Sequence, residues 1–292
     1  MTPSRHIIAV TGHRGQLGHE IALAAKRYPQ HHFIFLDRAA LDLEDETAIG
    51  KWFAAHQPTH FINCAAYTAV DKAESDRDTA YRVNTVAPGL LAAQCHKNNC
   101  RFIHISTDYV FDGRSARPYR ETDEVAPATV YGSTKAEGEK RVLEADPGAV
   151  IIRTSWVYSS VGKNFLLTML RLFAEKESVN VVADQAGTPT NAADLADAIL
   201  QIIDQENWKP GIYHYSNEGL ASWYEFAKEI ARQVQSNCVV NPITTDQFPT
   251  PARRPAYSVM DKEKIRSTFN LVIPTWQESL AACLGQIKKA RQ

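Results

Sequence analysis

The chain has almost no net charge. Its 32 Lys and Arg against 33 Asp and Glu leave −1 over 292 residues, so no overall field draws in nucleic acid or an anionic membrane surface, and any anion must be gripped locally. Long apolar runs are missing as well, and nothing approaches the roughly 18 to 20 residues of a membrane span. The opening stretch MTPSRHIIAV breaks at Gly12, too short for the apolar region of a secretory signal and without a cleavage site. Cysteine is sparse: Cys64, Cys95, Cys100, Cys238 and Cys283 are odd in number and show neither a C-x-x-C pair nor a metal-ligand spacing. The expected setting is therefore a reducing cytoplasm, and Cys95, His96 and Cys100 read as a helix end followed by a strand. Repeats, low-complexity tracts and an obvious flexible linker are also lacking, which excludes repeat arrays and tethered domains.

With 44% hydrophobic and 22% charged residues, the chain can bury a core of one large or two ordinary domains. Short apolar runs recur, HIIAV, HFIFLD, THFINCAA, RFIHIST and AVIIRTSWVY, each followed by a segment with three- and four-residue apolar spacing, such as GHEIALAAKRY, TAIGKWFAAH and DTAYRVNTVAPGLLAAQCHKNN. This alternation predicts right-handed βαβ units and an α/β fold with a Rossmann-type, doubly wound parallel sheet. After Trp156 the pattern loosens into helices at NFLLTMLRLFAEK, AADLADAILQIIDQ, SWYEFAKEIARQV and TWQESLAACLGQIKKA, parted by proline-rich loops such as NPITTDQFPTPARRPAYS. The expected division is a sheet domain over 1–155, rejoined by about 187–215, and a smaller, mostly helical domain over 156–186 and 216–292.

After the first strand comes TGHRGQLG, with Gly12, Gly15 and Gly18 in G-x-x-G-x-x-G spacing around Gln16 and Leu17. Such glycines allow a tight turn, bring backbone N–H groups against a pyrophosphate and let the helix pack on the strand. Asp37 ends the second strand about twenty residues on, where a ribose hydroxyl is held in dinucleotide folds. Arg14 and Arg38 are two cations positioned to face a 2′-phosphate, although both also fit solvated surface charge. The balance favours NADPH, with NADH tolerated.

Tyr131 and Lys135, in VYGSTKAEGEK, lie four apart and so share a helix face. A free phenol has a pKa near 10, and a cation beside it favours phenolate, so the pair is expected to form a tuned acid/base. The strand-end stretch HISTDYVFDG supplies a hydroxyl for the reacting oxygen, Thr107 or its neighbour Ser106; alternation along a strand predicts that only one of them reaches the site.

At this point the chain resembles the extended short-chain dehydrogenase/reductases, and within them the dTDP-4-dehydrorhamnose reductase branch. The resemblance runs through GQLG, NCAAYTAVDKAES, VNTVAP, STDYVFDG, VYGSTKAEGE, RTSWVYS, NFLLTMLRL, DQAGTPT and PTPARRPAYSVMD. It implies that Tyr131 protonates the sugar C4 oxygen during hydride transfer from the nicotinamide, that Lys135 binds the nicotinamide ribose and depresses the tyrosine pKa, and that Thr107 hydrogen-bonds the ketone. It further implies that Ala65, Ala66 and Tyr67 line the cofactor, that Asp42 and Leu43 flank the adenine, and that Asn84 sits near the proton path. Thr68, Val70, Asp71 and Tyr109 would meet a nucleotide-diphosphate sugar, with Trp156 as a platform for the sugar ring or simply a core residue. Arg253 and Arg254 would face the diphosphate, singly or together, since a guanidinium fork matches phosphate oxygens.

Rival activities are weighed by the same stretches. Dehydratases of this fold carry Asp-Glu after the strand-end threonine, whereas Asp108 is followed here by Tyr109. Epimerases share the Tyr/Lys chemistry but not the TAVDKAES and PTPARRP stretches, and a non-catalytic regulatory homologue has no need of an undamaged Tyr131, Lys135 and Thr107. Some relatives pair through magnesium held by glutamates. Glu20 is one candidate ligand, but Ala193 stands where a second carboxylate is wanted, so no obligatory metal and a monomer or weak homodimer are expected.

Overall fold

In this computed structural model, residues 5–205 and 207–290 are described; the first four residues of the opening stretch and the last two of the basic C-terminal run lie outside them. The first half runs β1 (Ile7–Thr11), α1 (Gln16–Ala24), β2 (His32–Leu36), α2 (Glu46–His56), β3 (His60–Asn63), α3 (Val70–Ala73), α4 (Arg77–Tyr81), α5 (Ala87–Lys97), β4 (Arg101–Thr107), α6 (Val130–Ala145) and β5 (Val150–Thr154). The second runs β6 (Val157–Tyr158), α7 (Phe165–Glu175), β7 (Ser178–Val182), β8 (Ala186–Gly187), β9 (Thr190–Asn191), α8 (Ala192–Asp204), β10 (Gly211–His214), β11 (Ala221–Ser222), α9 (Trp223–Gln233), β12 (Val239–Ile243), α10 (Glu263–Phe269) and α11 (Trp276–Ala290).

Six strands form one all-parallel sheet in the order β10-β5-β4-β3-β1-β2. The expected Rossmann-type α/β sheet is what the chain builds. Its inner strands are runs of branched apolar residues because both faces are covered. On one face Ile8, Val10 and Ile103 pack with Ile21 of α1, Leu195 and Ile199 of α8 and Ile265 of α10. On the other, Phe61 and Phe102 pack with Phe53 of α2, Leu91 of α5 and Val142 of α6. Successive strands are added on opposite sides of β1, so the order reverses between β1 and β3, and a crevice opens there at the carboxyl ends of the strands.

A second core lies among α7, α9, α11 and the β7–β12 ribbon, where Tyr158, Leu166, Phe226, Ile230, Trp276 and Leu280 are buried together. Helix α9 starts with a reciprocal cap between Ser222 and Glu225, which satisfies two otherwise orphaned N–H groups. Two features depart from the sequence reading. The loop beginning at Asn241 opens inside β12, because Pro242 is tolerated in a two-stranded ribbon where each strand keeps a free edge. The helical stretch 78–97 is interrupted by a π-helical segment at Arg82–Val86, a form that often accompanies functional sites.

Candidate active site

The crevice is a cleft of about 710 Å³. At one end α1 begins. Gly12, at φ 69°, turns the chain so tightly that a Cβ there would stand 2.8 Å from the Ala65 nitrogen, a position that only glycine fills without strain. No side chain caps α1 at Gly15, so its first-turn N–H groups open on the cleft and favour an anion. Gln16 ties this turn to the second half of the molecule: its Oε1 accepts from Asn164 Nδ2 at 2.8 Å and from Ser159 Oγ at 3.4 Å. Beyond the turn, Asp37 accepts from Ala40 N at 2.9 Å and pairs with Arg14 at 2.5 Å. The backbone N–H of Ala40 and the Arg14 guanidinium hold its carboxyl below the usual range. Arg38 pairs with Glu44 at 3.3 Å. Asp42 and Leu43 complete this end.

At the other end, α6 delivers the tyrosine and the lysine. Thr129 caps the helix, its hydroxyl accepting from Gly132 N at 3.0 Å, which sets the start of the first turn. Gly132 lets that turn lie against Tyr109, since a Cβ would sit 2.1 Å from the Tyr109 carbonyl oxygen. Tyr131 is buried edge-on to Tyr109 with ring centroids 5.5 Å apart. Lys135 Nζ donates to the Ile105 carbonyl at 2.6 Å and lies 3.1 Å from His104 Nε2. Burial brings its ammonium down to about 8. Thr107 Oγ1 accepts from Tyr109 N at 3.2 Å and donates to Asp108 Oδ1 at 2.9 Å; burial pushes the Asp108 carboxyl up to about 6.

Two expectations need correcting here. Tyr131 is not made more acidic in this arrangement: burial pushes the phenol up to about 12, Thr107 acting in the opposite sense and the Asp108 charge adding to the rise. The ammonium is engaged with the Ile105 carbonyl and His104, and for the phenol the cost of desolvation decides. Ser106 and Thr107 both line the cleft, although Ser106 Oγ has no hydrogen-bond partner.

The cleft gathers most of the residues named from the sequence: Gly12, Arg14, Gly15, Gln16, Leu17, Gly18, Asp37, Arg38, Asp42, Leu43, Ala65, Ala66, Thr68, Val70, Thr107, Tyr109, Tyr131, Lys135 and Trp156. Five fall outside it. Asn84 is buried with its amide accepting from Tyr67 N at 2.8 Å and donating to Tyr67 O and Thr134 Oγ1, so it fastens the loop after β3 to α6. The Tyr67 hydroxyl turns away to Asp76 at 3.0 Å. Asp71 pairs with Arg254 at 2.6 Å and accepts from Ala252 N at 3.1 Å. Arg253 and Arg254 line a second cavity of about 250 Å³, which Tyr109 joins to the first.

Trp156, at φ 47°, lies flat on Trp223 with ring centroids 3.6 Å apart. One of its faces is therefore covered, and Gly187 also lies against the indole, since a Cβ there would stand 2.5 Å from Trp156 Cε2, so only the remainder of the half-buried ring borders the cleft. Lys163 also lines the cleft; it sits in a loop with no periodic or motif signal that could have singled it out. His104 carries no sequence signal of its own, because a lone histidine inside an apolar strand reads as core. Glu20, the candidate metal ligand, is 2% exposed and turned inward, its carboxyl pushed up by burial. Among the described residues, no group of three or more His, Cys, Asp or Glu is arranged to hold a metal ion, and no helix is long and apolar enough to cross a membrane. Chemically, the cleft offers uncapped amides to an anion at one end and a phenol, hydroxyls and an amine to a reacting oxygen at the other.

Residues 6–289 match the family described as RmlD substrate binding domain. A dTDP-4-dehydrorhamnose reductase of Aggregatibacter actinomycetemcomitans is 40% identical over 283 residues, 94% of this chain and 96% of that protein. The crystal structure of a dTDP-4-dehydrorhamnose reductase from Clostridium acetobutylicum superposes with a TM-score of 0.92 at 41% identity, covering 97% of this chain and 99% of that one. That of a dTDP-4-dehydrorhamnose reductase from Bacillus anthracis in complex with NADP superposes with a TM-score of 0.93 at 36% identity, covering 97% and 100%. Because this likeness extends along nearly the whole chain and through both ends of the cleft, the chain belongs to the dTDP-4-dehydrorhamnose reductase family of oxidoreductases.

Proposed function

We propose that the protein reduces the C4 ketone of dTDP-4-dehydro-6-deoxy-L-mannose (dTDP-4-dehydrorhamnose) with NADPH, giving dTDP-L-rhamnose as the last step of dTDP-rhamnose biosynthesis. The observation that carries this reading is the meeting of Tyr131, Thr107 and Lys135 at one end of a cleft whose other end is the uncapped start of α1. NADPH, when bound, supplies the hydride to the carbonyl carbon.

The donor set fits a dinucleotide. The α1 amides suit its pyrophosphate, Asp37 a ribose hydroxyl, and the apolar wall of Leu36, Leu41 and Leu43 the adenine. Arg14 neutralises Asp37, and with Arg38 it leaves two largely exposed guanidinium groups for a 2′-phosphate, which supports NADPH over NADH, as does the NADP complex of the Bacillus anthracis relative. Tyr131 gives its proton to the oxygen that gains charge, and a phenol kept neutral by burial is suited to donate. Thr107 orients that oxygen, and Lys135 holds the nicotinamide ribose. Thr68, Val70, Tyr109 and the cleft-lining part of Trp156 receive the sugar, while the cavity at Arg253 and Arg254, the latter clasped by Asp71, takes the nucleotide diphosphate. We assign dinucleotide binding to 1–155 with about 187–215, and nucleotide-sugar binding to 156–186 and 216–292. We further read the protein as cytoplasmic, in keeping with its five free cysteines, and as a monomer or weak homodimer without an obligatory metal.

Purified protein mixed with NADPH and dTDP-4-keto-6-deoxy-L-mannose should lower the reduced-nicotinamide absorbance and yield dTDP-rhamnose; no oxidation of NADPH overturns the assignment. Comparing kcat/KM for NADPH and NADH, in the parent and in Arg38→Ala, tests the cofactor: a strong NADH preference in the parent refutes it.

A further inference from the structure

Lys135 ends a buried hydrogen-bond line that crosses three neighbouring strands. Thr11 of β1, Asn63 of β3 and His104 of β4 are successive register partners. Thr11 Oγ1 is 2.7 Å from Asn63 Oδ1, and Ala65 N–H donates to the same oxygen at 3.2 Å. A backbone N–H cannot accept, so the oxygen of the amide must face Ala65, and this network fixes the orientation of Asn63. Asn63 Nδ2 is then the atom 3.1 Å from His104 Nδ1, and it donates there. A neutral imidazole that accepts at Nδ1 carries its proton on Nε2, which points at Lys135 Nζ from 3.1 Å. An ammonium has three donors and no lone pair. While Lys135 is charged, the line therefore holds one proton more than it has acceptors. Thr11, Asn63, His104 and Lys135 are all at most 2% exposed, so water does not relieve the mismatch.

We propose that Asn63 and His104 are positioning residues that set the protonation of Lys135: Asn63 locks the imidazole in its Nε2–H form, and that N–H favours the neutral amine over the ammonium. The inference rests on Lys135 serving the reaction assigned above. The other groups facing Lys135 do not supply this bias. Glu139, one turn further along α6 and bidentate with Arg153 of β5, favours the charged form. Cys64, behind β3, acts in the same direction, but burial pushes its thiol up to about 12. Tyr131 stays a neutral phenol through the same effect. His104 is itself neutral, its pKa held far below 6.5 by burial and by Lys135. The pH at which the lysine loses its charge, and with it the alkaline limb of turnover, is accordingly set by burial together with the tautomer of a histidine that itself touches no substrate.

Asn63→Asp is a tautomer switch. Its carboxylate still accepts from Ala65 and Thr11 but now accepts from His104 as well, which moves the imidazole proton to Nδ1 and turns Nε2 into an acceptor for the ammonium. In Asn63→Ala the donor to Nδ1 is gone, so the imidazole is free to carry its proton on Nδ1 and accept from the ammonium at Nε2, with the same expected direction for Lys135, and a failure of the buried aspartate to fold leaves the test intact. Nitrogen NMR of labelled imidazoles, NMR titration of the Lys135 side chain and the pH profile of kcat/KM would be recorded for the full-length parent and both variants. The expected results are a proton on Nε2 in the parent and on Nδ1 in Asn63→Asp, with Lys135 and the alkaline limb moving up by about one pH unit in both variants. A proton on Nδ1 in the parent, or a Lys135 titration unmoved in both variants, overturns the proposal. The two NMR readouts need no substrate, so a parent that shows them yet oxidises no NADPH would refute the assigned reaction and not this tautomer control.

Discussion

At the scale of single residues, the proposed chemistry depends on a phenol that keeps its proton until an oxygen demands it. Replacing Tyr131 by phenylalanine should lower kcat by about two to four orders of magnitude, the usual range for a positioned acid, in an assay of NADPH oxidation; undiminished turnover would remove the tyrosine from its role. Lys135→Ala should weaken NADPH binding as measured by fluorescence titration and lower kcat as well, and an unchanged affinity would argue against a ribose contact. Tyr131, Lys135 and the three glycines were readable because each belongs to a spacing with a physical meaning, four residues for one helix face and three for a phosphate turn, whereas Thr107 was readable only as one of two hydroxyls at a strand end. The partners of Asn84 and Asp71 were not readable for the converse reason. Both are polar residues beside the cleft, but nothing local shows that their hydrogen bonds go to Tyr67 and Thr134 in one case and to Ala252 and Arg254 in the other.

At the scale of elements, the site is an encounter between the start of α6 and the end of β4, and its tolerance is set by Gly132. Gly132→Ala brings a Cβ against the Tyr109 carbonyl at 2.1 Å, so either the helix start or the strand end must move. We expect a loss of about 1 to 3 kcal/mol in chemical denaturation, the scale of overpacking, together with a fall in kcat because Tyr131 shifts with the turn. A variant as stable and as active as the parent would show that the contact relaxes without cost. Strands β1 to β5 and their crossover helices were legible because branched apolar runs and helical spacing repeat in alternation. The two-residue strands β6, β8, β9 and β11 were not, since so short a pairing is decided by what lies across from it and leaves no period in the sequence. The π-helical segment is equally silent, for its residues carry ordinary helical spacing.

At the scale of the whole molecule, stability is tied to buried neutral histidines. His60 and His214 are held at about 3, the first by burial and by His6 and Arg101, the second by burial and Arg153. Below about pH 6.5 the unfolded chain takes up protons that the folded one refuses, so stability falls as pH drops from about 6.5 towards 3. Near pH 5 each of these histidines should remove on the order of 1 to 2 kcal/mol; denaturant midpoints that are equal at about pH 7 and about pH 5 would contradict this. The sheet raises a further point, about modularity. Its edge strand β10 and the helix α8 arrive only after the chain has already built β6 to β9, and α8 contributes Leu195, Ile199, Ile202 and Ile203 to the sheet's own core. A fragment ending near residue 160 would leave that apolar face bare to solvent and should aggregate on expression. Sugar selectivity in this lineage therefore cannot be transplanted as a C-terminal cassette: a chimera has to be spliced at several junctions, or redesigned side chain by side chain within an intact scaffold.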